Sequence, residues 1–322
     1  MPNSQKSSSN ALKKKTIDSQ SFQMFFVLIG MCVIMTILYP PFIRMANLIN
    51  VIRQISITAI IGMGVTMCII TTGIDLSSGS VVALAGVVAA SFGKGDYPLI
   101  LPIILALIAG AACGFVNGSL SAYGKIPPFI ATLGMMSIAR GAALIYSDGR
   151  PITGLSDAFN FIGGGYILGI PMPVIIMIIV GIIMYVLLNH TKFGKYVYAI
   201  GGNQRAAVAS GINVKKYLVI IYTLASVLAA LAGIILAARL NAGQPTAGVS
   251  YELDAIASSV IGGTSLTGGI GTIPGVIIGA LIIGVLTNGL VLLGVSPYIQ
   301  TILKGVIIIA AVLIDALRRN RG

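Results

Sequence analysis

The sequence predicts an all-α polytopic membrane protein, and three observations carry the prediction. Of its 322 residues, 57% are hydrophobic and 9% are charged, against roughly 25% charged in a soluble domain. Mean hydropathy is +1.00, more apolar surface than a soluble core could bury, because surface grows too slowly against volume. The apolar residues also fall into runs of about 20, the length a helix needs to cross a bilayer. With lipid as solvent, the net charge of +12 is no nucleic-acid signature and has to be read by position.

Residues 1–20 are polar and basic, and the apolar run behind them lacks a small-residue cleavage site. They predict a cytoplasmic tail ahead of a retained first span. Residues 21–317 then form a single transmembrane domain, and 318–322 a second cytoplasmic tail. Segments near 22–40, 51–72, 77–92, 97–122, 127–146, 172–189, 217–238, 253–267, 273–293 and 298–316 predict ten transmembrane helices, some of them broken or re-entrant. The eighth, within "ELDAIASSVIGGTSLTGG", is short and broken by glycine, which suits a half-helix.

Ten crossings place both termini on one side, and the basic residues decide which. Lys6, Lys13, Lys14, Lys15, Lys125, Lys192, Lys195, Arg205, Lys215, Lys216, Arg318, Arg319 and Arg321 fall with the termini. Only Arg44, Arg53, Lys94, Arg150 and Arg239 fall opposite. The termini are therefore expected in the cytoplasm. Arg140 and Lys304 are left over, inside apolar segments.

Cys32, Cys68 and Cys113 lie in apolar runs without metal-type spacing and read as packing residues. Gly110, Gly114 and Gly118 recur every fourth residue, as do Gly271, Gly275 and Gly279. Each stripe suits close helix packing, within one chain or across a dimer seam. "GIDLSSG" (73–79) and "GTSLTGG" (263–269) echo each other between apolar segments, on the cytoplasmic side in this topology. Transporters are often built from repeated halves with broken helices.

The longest cytoplasmic loop, 190–216, contains "AIGGNQRAAVASGINVKK". Asn203 suits a helix N-cap, the alanines behind it favour helix, and Gly211 suits the left-handed residue that ends one. A helix of about two turns is unstable alone in water, so it must pack against its own subunit or a partner. No G-x-x-x-x-G-K-[ST] motif occurs; "FGKG" (92–95) and "FGKY" (193–196) lack its spacing and hydroxyl. The spans are also poor in the acids that ion-coupled carriers place near the midplane. The driving force is expected to come from another protein.

"TTGIDLSSGSVVALAG" (71–86), "PPFIATLGMMSIARG" (127–141), "GKYVYAIGGNQRAAVASGINV" (194–214), "ARLNAGQPTAGVSYELDAIASSVIGGTSLTGGIGT" (238–272) and "NGLVLLGVSPYIQTILKGVIII" (288–309) resemble the permease subunit of ribose-type bacterial ABC importers. The resemblance runs from about residue 20 to 317. It implies a homodimer in the bacterial inner membrane, a cytoplasmic ABC ATPase subunit and a periplasmic sugar-binding protein. It also implies a chain that is not itself an enzyme and binds no cofactor, Mg-ATP being held by the ATPase. The family's "GGN…A…SGI" loop holds the coupling helix, which transfers here to Gly201, Gly202, Asn203, Ala206, Ser210, Gly211 and Ile212, with Arg205 and Ala207 in the same helix. The implied solute is a monosaccharide, ribose first, with other pentoses, hexoses and furanose-type solutes open. Specificity would reside mainly in the binding protein.

Other residues keep two readings. Asp75, ahead of Ser77, is an N-cap at the start of a span or part of a cytoplasmic gate. Arg44, Arg53, Arg150 and Arg239 dock the binding protein's carboxylates, or contact headgroups, or pair with Asp148, Glu252 or Asp254. Thr71, Thr72, Asn117, Ser119, Thr132, Asn288 and Gln300 offer the uncharged polar path a sugar needs, or are interhelical hydrogen bonds. Tyr123, Tyr146 and Tyr166 suit interface anchors, and His190 is given no ligand or acid–base role. The alternative to the importer is an ion-coupled secondary sugar carrier. A membrane enzyme is disfavoured because one histidine and scattered acids form no cluster.

Overall fold

The computed structural model describes residues 23–319. The expected tail at 1–20, with its four lysines, and Arg321 lie outside the described residues. The chain is built of helices joined by short links, with two two-residue strand pairs at one end. Helix α1 (Gln23–Leu38) leads through a 3₁₀ turn at Pro40–Ile43 into α2 (Met45–Ile70). There follow α3 (Ser78–Phe92), α4 (Ile100–Ala122), α5 (Pro128–Tyr146), α6 (Asp157–Gly164) and α7 (Met172–His190). The second half holds α8 (Lys192–Gly202), α9 (Gln204–Ala209), α10 (Val214–Leu240), α11 (Tyr251–Ile261), α12 (Ile273–Leu292) and α13 (Pro297–Arg319). Among the described residues, α2, α4, α5, α7, α10 and α12 are long and apolar enough to cross a membrane; α1, α3 and 297–310 of α13 are apolar but shorter.

The core is α2 and α10, the two longest of the fully described helices, with α3 and α4 packed on α10. The first glycine stripe explains the α4–α10 seam. A Cβ on Gly110, Gly114 or Gly118 would run into Ser226, Tyr222 or Val219 of α10 respectively. Gly275 and Gly279 likewise lie on the backbone of Gly262 and Ser258, and Gly271 on Ile70. Both stripes are therefore intrachain packing surfaces and not a dimer seam. Cys68 and Cys113 are buried and Cys32 half-buried, all three as free thiols.

The two ends of the bundle differ. At one, which we call the loop end, α8 lies against α2 and α10, and α9 against α10; Lys215 Nζ of α10 sits 5.4 Å from the centre of the Tyr123 ring at the end of α4. At the far end, β1 (Ile152–Thr153) pairs with β4 (Ala242–Gly243), and β2 (Tyr166–Ile167) with β3 (Ile170–Pro171). Ser156 donates its backbone N–H to Gly93 O at 2.8 Å and caps α6 through its hydroxyl. Asn160 Nδ2 donates to Asn241 Oδ1 at 2.9 Å.

The eighth predicted span, 253–267, is corrected to the 11-residue α11, too short to cross. It starts far from either end. Gly233 of α10 lies about 10 Å below that helix's far-end terminus at 1.5 Å per residue, and it packs on Val82. Gly248 packs on the same Val82 and on Gly79, and Glu252 also reaches Gly79. The chain from Asn241 to Ser250 therefore descends along α3 to mid-depth before α11 begins. Helix α3 begins there too, after an irregular stretch from Gly73 to Ser77. The result is two half-helices whose N-termini meet at mid-depth, α3 leaving toward the far end and α11 toward the loop end. This corrects the placing of 73–79 between two spans on the cytoplasmic side.

Candidate functional site

The loop end carries the clearest constructed feature. Thr191 caps α8, its hydroxyl accepting from Gly194 N at 3.4 Å. Asn203 ends α8 and starts α9: its extended backbone (φ −163°) turns the chain, and its Oδ1 accepts from Ala206 N at 3.0 Å. Gly211, at φ +81°, lets the chain leave in the left-handed conformation that a side chain disfavours. Asn213 then caps α10 by accepting from Lys216 N at 3.1 Å. The caps expected at Asn203 and Gly211 are both present, and α9 spans six residues. Helix α8, the turns directly before it, is an element that sequence reasoning missed, as is α6 at the far end. The signal for α8 lies in Thr191 as a cap and in the apolar spacing of Phe193, Val197 and Ile200.

Helix α9 stands on a small apolar cluster of its own, Ile200, Ala207 and Val214, ringed by Ile212, Tyr217 and Leu218. Ala207 is buried, while Gln204, Arg205, Ala206, Val208 and Ala209 face outward. The base is fixed by backbone contact. Gly201 lies against the carbonyl of Ile70 with no room for a Cβ, and Gly269 N donates to that carbonyl at 2.8 Å. Gly268 (φ +86°) and Gly269 (φ +75°) wrap around Thr72 and Gly202. Tyr198 completes the junction by donating to Gly271 O at 2.8 Å. Burial pushes its hydroxyl up to about 12, so it stays a donor at any physiological pH.

The second feature is the polar mid-depth meeting of α3 and α11. Asp75 is fully buried; its Oδ1 accepts from Ser77 N at 2.8 Å and from Ser77 Oγ at 2.6 Å. Ser77 is thus the residue flanking α3, and Asp75 caps it from two residues away, which corrects Asp75 as the N-cap itself. Asn117 Nδ2 of α4 donates to Ser77 Oγ at 2.9 Å, and Thr132 Oγ1 of α5 donates to Ile74 O at 3.1 Å. On the other side, Arg140 Nη1 donates to Pro245 O and Ala247 O, both at 2.7 Å. Lys304 of α13 pairs with Asp254 of α11 at 2.9 Å. The two cations left over from the topology are therefore the clamps on the descending segment and on α11.

These placements sort the remaining expectations. Asn117 and Thr132 gather with Asp75 and Ser77. Thr71 bonds back to Cys68 O on α2, and Thr72, exposed at φ +65°, lies by Gly268. Asn288 exchanges hydrogen bonds with Asn47 at 3.0 and 2.9 Å, and Gln300 donates to Val295 O at 2.8 Å, both away from that group. Arg44 and Arg150 are exposed at the far end. Arg53 is engaged internally: it donates to Gly164 O at 3.1 Å and covers the Tyr166 ring at 4.6 Å. Arg239 lies beside Gly163 of the same turn. Asp254 takes Lys304 as its partner and none of these arginines.

The family model for branched-chain amino acid transport system permease components matches residues 47–312. The chain belongs to this permease family. Among curated relatives of the permease, "Ribose import permease protein RbsC" of Bacillus subtilis is 50% identical over 298 residues, 92% of each chain. The protein of the same name from Escherichia coli K12 is 50% identical over 303 residues, 93% of this chain and 94% of its own. "D-allose transport system permease protein AlsC" of the same strain is 42% identical, covering 91% and 90%. No solved structure matches the permease significantly.

Proposed function

We propose that the chain is the permease subunit of an ATP-driven importer that carries ribose or a closely related monosaccharide into the cytoplasm. The observation that carries this reading is α9: a short helix, capped at both ends and seated on a glycine-locked base, presenting Arg205, Ala206 and Val208 outward from a family permease. Such a helix transmits displacement from a partner, where a loose loop would absorb it. The partner is a cytoplasmic ABC ATPase holding Mg-ATP; this chain holds no cofactor and catalyses no reaction. The loop end, with Lys125, Lys192, Lys195, Arg205, Lys215 and Lys216, is assigned to the cytoplasm by the positive-inside tendency, with both termini on that side of the inner membrane. Ten crossings follow if the stretch 71–77 with α3, and 241–250 with α11, each count as one. The permease works as a homodimer, and Arg44 and Arg150 receive a periplasmic sugar-binding protein, while Arg53 and Arg239 hold the surface behind them.

Ala206→Glu tests this. Ala206 is exposed and touches none of the cluster under α9, so folding and membrane yield should match the native chain. Sugar uptake per ATP hydrolysed should fall by about tenfold, the cost of roughly 1.4 kcal/mol of lost coupling. Unchanged coupling would reject α9 as the contact. The buried acids Asp75 and Asp254 favour one second reading, an ion-coupled carrier; uptake that follows an ion gradient without ATP would select it.

A further inference from the structure

The hairpin between α6 and α7 is built against the rules for its turn. Strands β2 and β3 pair Tyr166 with Pro171 and Ile167 with Ile170. That leaves Leu168 and Gly169 as a two-residue turn, both left-handed at φ +50° and +80°. Such turns favour Asn or Asp before the glycine, because a bulky side chain at positive φ is strained. Leucine stands there instead and is 97% exposed, so no contact among the described residues holds it in place. Phe161, Tyr166, Ile167 and Ile170 beside it are exposed as well. A contiguous apolar patch of this kind marks a contact surface.

Position and chemistry indicate what it meets. Arg53, eight residues past Met45 and so about 12 Å along α2 at 1.5 Å per residue, donates to Gly164 O and covers the Tyr166 ring. Gly163 lies on Arg239 in the last turn of α10. The base of the hairpin is therefore level with the far-end termini of the spans and not raised above them. Strand β3 runs directly into α7, whose Ile178, Ile179, Ile182 and Ile183 are exposed on a regular helix, as lipid requires. No Asp, Glu, Lys or Arg occurs between Asp157 and Lys192. Faces that dock proteins carry polar rims. This patch is free of charge and continuous with a lipid-facing helix, and its Arg53–Tyr166 pair is of the type that anchors at a membrane interface.

We propose that the β2–β3 hairpin inserts into the bilayer surface at the far end, with Leu168 as the apolar tip and Tyr166 and Arg53 at headgroup level. Its partner is lipid, and the contact fixes the depth at which α7 enters the membrane. The inference stands apart from the importer reading, since it concerns a surface that neither α9 nor the mid-depth group touches.

The chain contains no tryptophan, so Leu168→Trp supplies a single reporter. Asp96→Trp, in the exposed loop before α4, is the wet comparison at the same end. Each full-length variant is reconstituted into phosphatidylcholine–phosphatidylglycerol vesicles without partner proteins, with iodide on both faces as the aqueous quencher. The expected result at 168 is blue-shifted emission, quenching by phospholipids brominated on the acyl chains, and iodide quenching several-fold weaker than at 96. Emission and iodide access equal to those at 96 would overturn the proposal. Protection from iodide without quenching by brominated lipid, or protection that appears only when a sugar-binding protein is added, would overturn it too, by making the patch a protein contact. Leu168→Asn separates the anchor from the fold, because asparagine accepts the left-handed turn and removes the apolar tip. In detergent it should unfold at or above the native temperature, and it should gain less stability than the native chain on transfer to vesicles. An equal gain would show that the tip contributes nothing in lipid and would overturn the proposal.

Discussion

The junction under α9 and the meeting of α3 with α11 both bring irregular backbone against tightly packed helices, and they hold it by opposite means. Under α9, Gly201, Gly268 and Gly269 allow three segments to touch main chain to main chain at the Ile70 carbonyl. At mid-depth, side chains do the holding: Arg140 reaches two carbonyls and Lys304 reaches Asp254. The first arrangement is stiff because it is governed by sterics over a few tenths of an ångström. The second relies on long side chains whose partners can be exchanged for water. A stiff end that receives a push and a charged middle that can re-partner are what a conduit moved by another protein requires.

The largest effect is expected where this contrast is broken from the charged side. Arg140→Ala leaves the Pro245 and Ala247 carbonyls without their donor at mid-depth and removes two hydrogen bonds to a charged group, at about 1.5–3 kcal/mol each. Thermal unfolding of the purified permease should show a loss of about 3 kcal/mol or more, and uptake should be abolished. Arg140→Lys keeps the charge but not the planar fork, so it should recover part of the stability. An Ala variant with native stability would mean that 244–247 is held by its packing on α3 alone.

A smaller effect is expected from the glycine side. Gly201→Val drives a branched side chain into Ile70 O and Gly269 N, and overpacking of this kind costs about 1–3 kcal/mol. Because α9 stands on its own small cluster and α8 joins the main core only at its edge, through Val197, Phe193 and Tyr198, the bundle should still assemble and bind its ATPase partner, while uptake per ATP falls. Circular dichroism and co-purification check the first part, and coupled transport in vesicles the second. If Gly201→Val and Arg140→Ala lowered stability equally, the two regions would not differ in the way described.

The two regions were not equally legible in the sequence. The loop-end features follow local rules: Asn203 before a run of alanines and Gly211 after it are caps whatever the tertiary structure. Among the described residues, the apolar runs likewise located the six helices long and apolar enough to cross, with ends displaced by turn chemistry, as where α2 begins at Met45 behind the Arg44 N-cap. The mid-depth meeting is tertiary. Residues 241–250 are polar, contain Pro245 and read as an outer loop, and only the groove along α3, where Gly79 and Gly86 offer no side chain, takes them down into the membrane. One signal was available. Arg140 and Lys304 sit in apolar helices, an unpaired cation there is costly, and the acids flanking the weak eighth span, Glu252 and Asp254, were the natural partners.

The smallest effect sharpens the comparison most. Asn203→Ala removes the side-chain acceptor for Ala206 N, a loss of about 1 kcal/mol for a helix cap. Global stability should hardly change, because α9 adds only Ala207 to the buried cluster. Hydrogen exchange at residues 204–206 should accelerate about fivefold, and uptake per ATP should drop by a similar factor, since 1 kcal/mol is worth about that in an equilibrium. Asn203→Asp supplies an equivalent acceptor and should restore both. If exchange accelerated while coupling stayed native, the cap would be dispensable and stiffness at the loop end would come from Ala207 and the Gly201 contact alone. If both moved together and Asp restored both, then the order of a six-residue helix limits how much of the partner's motion enters the membrane.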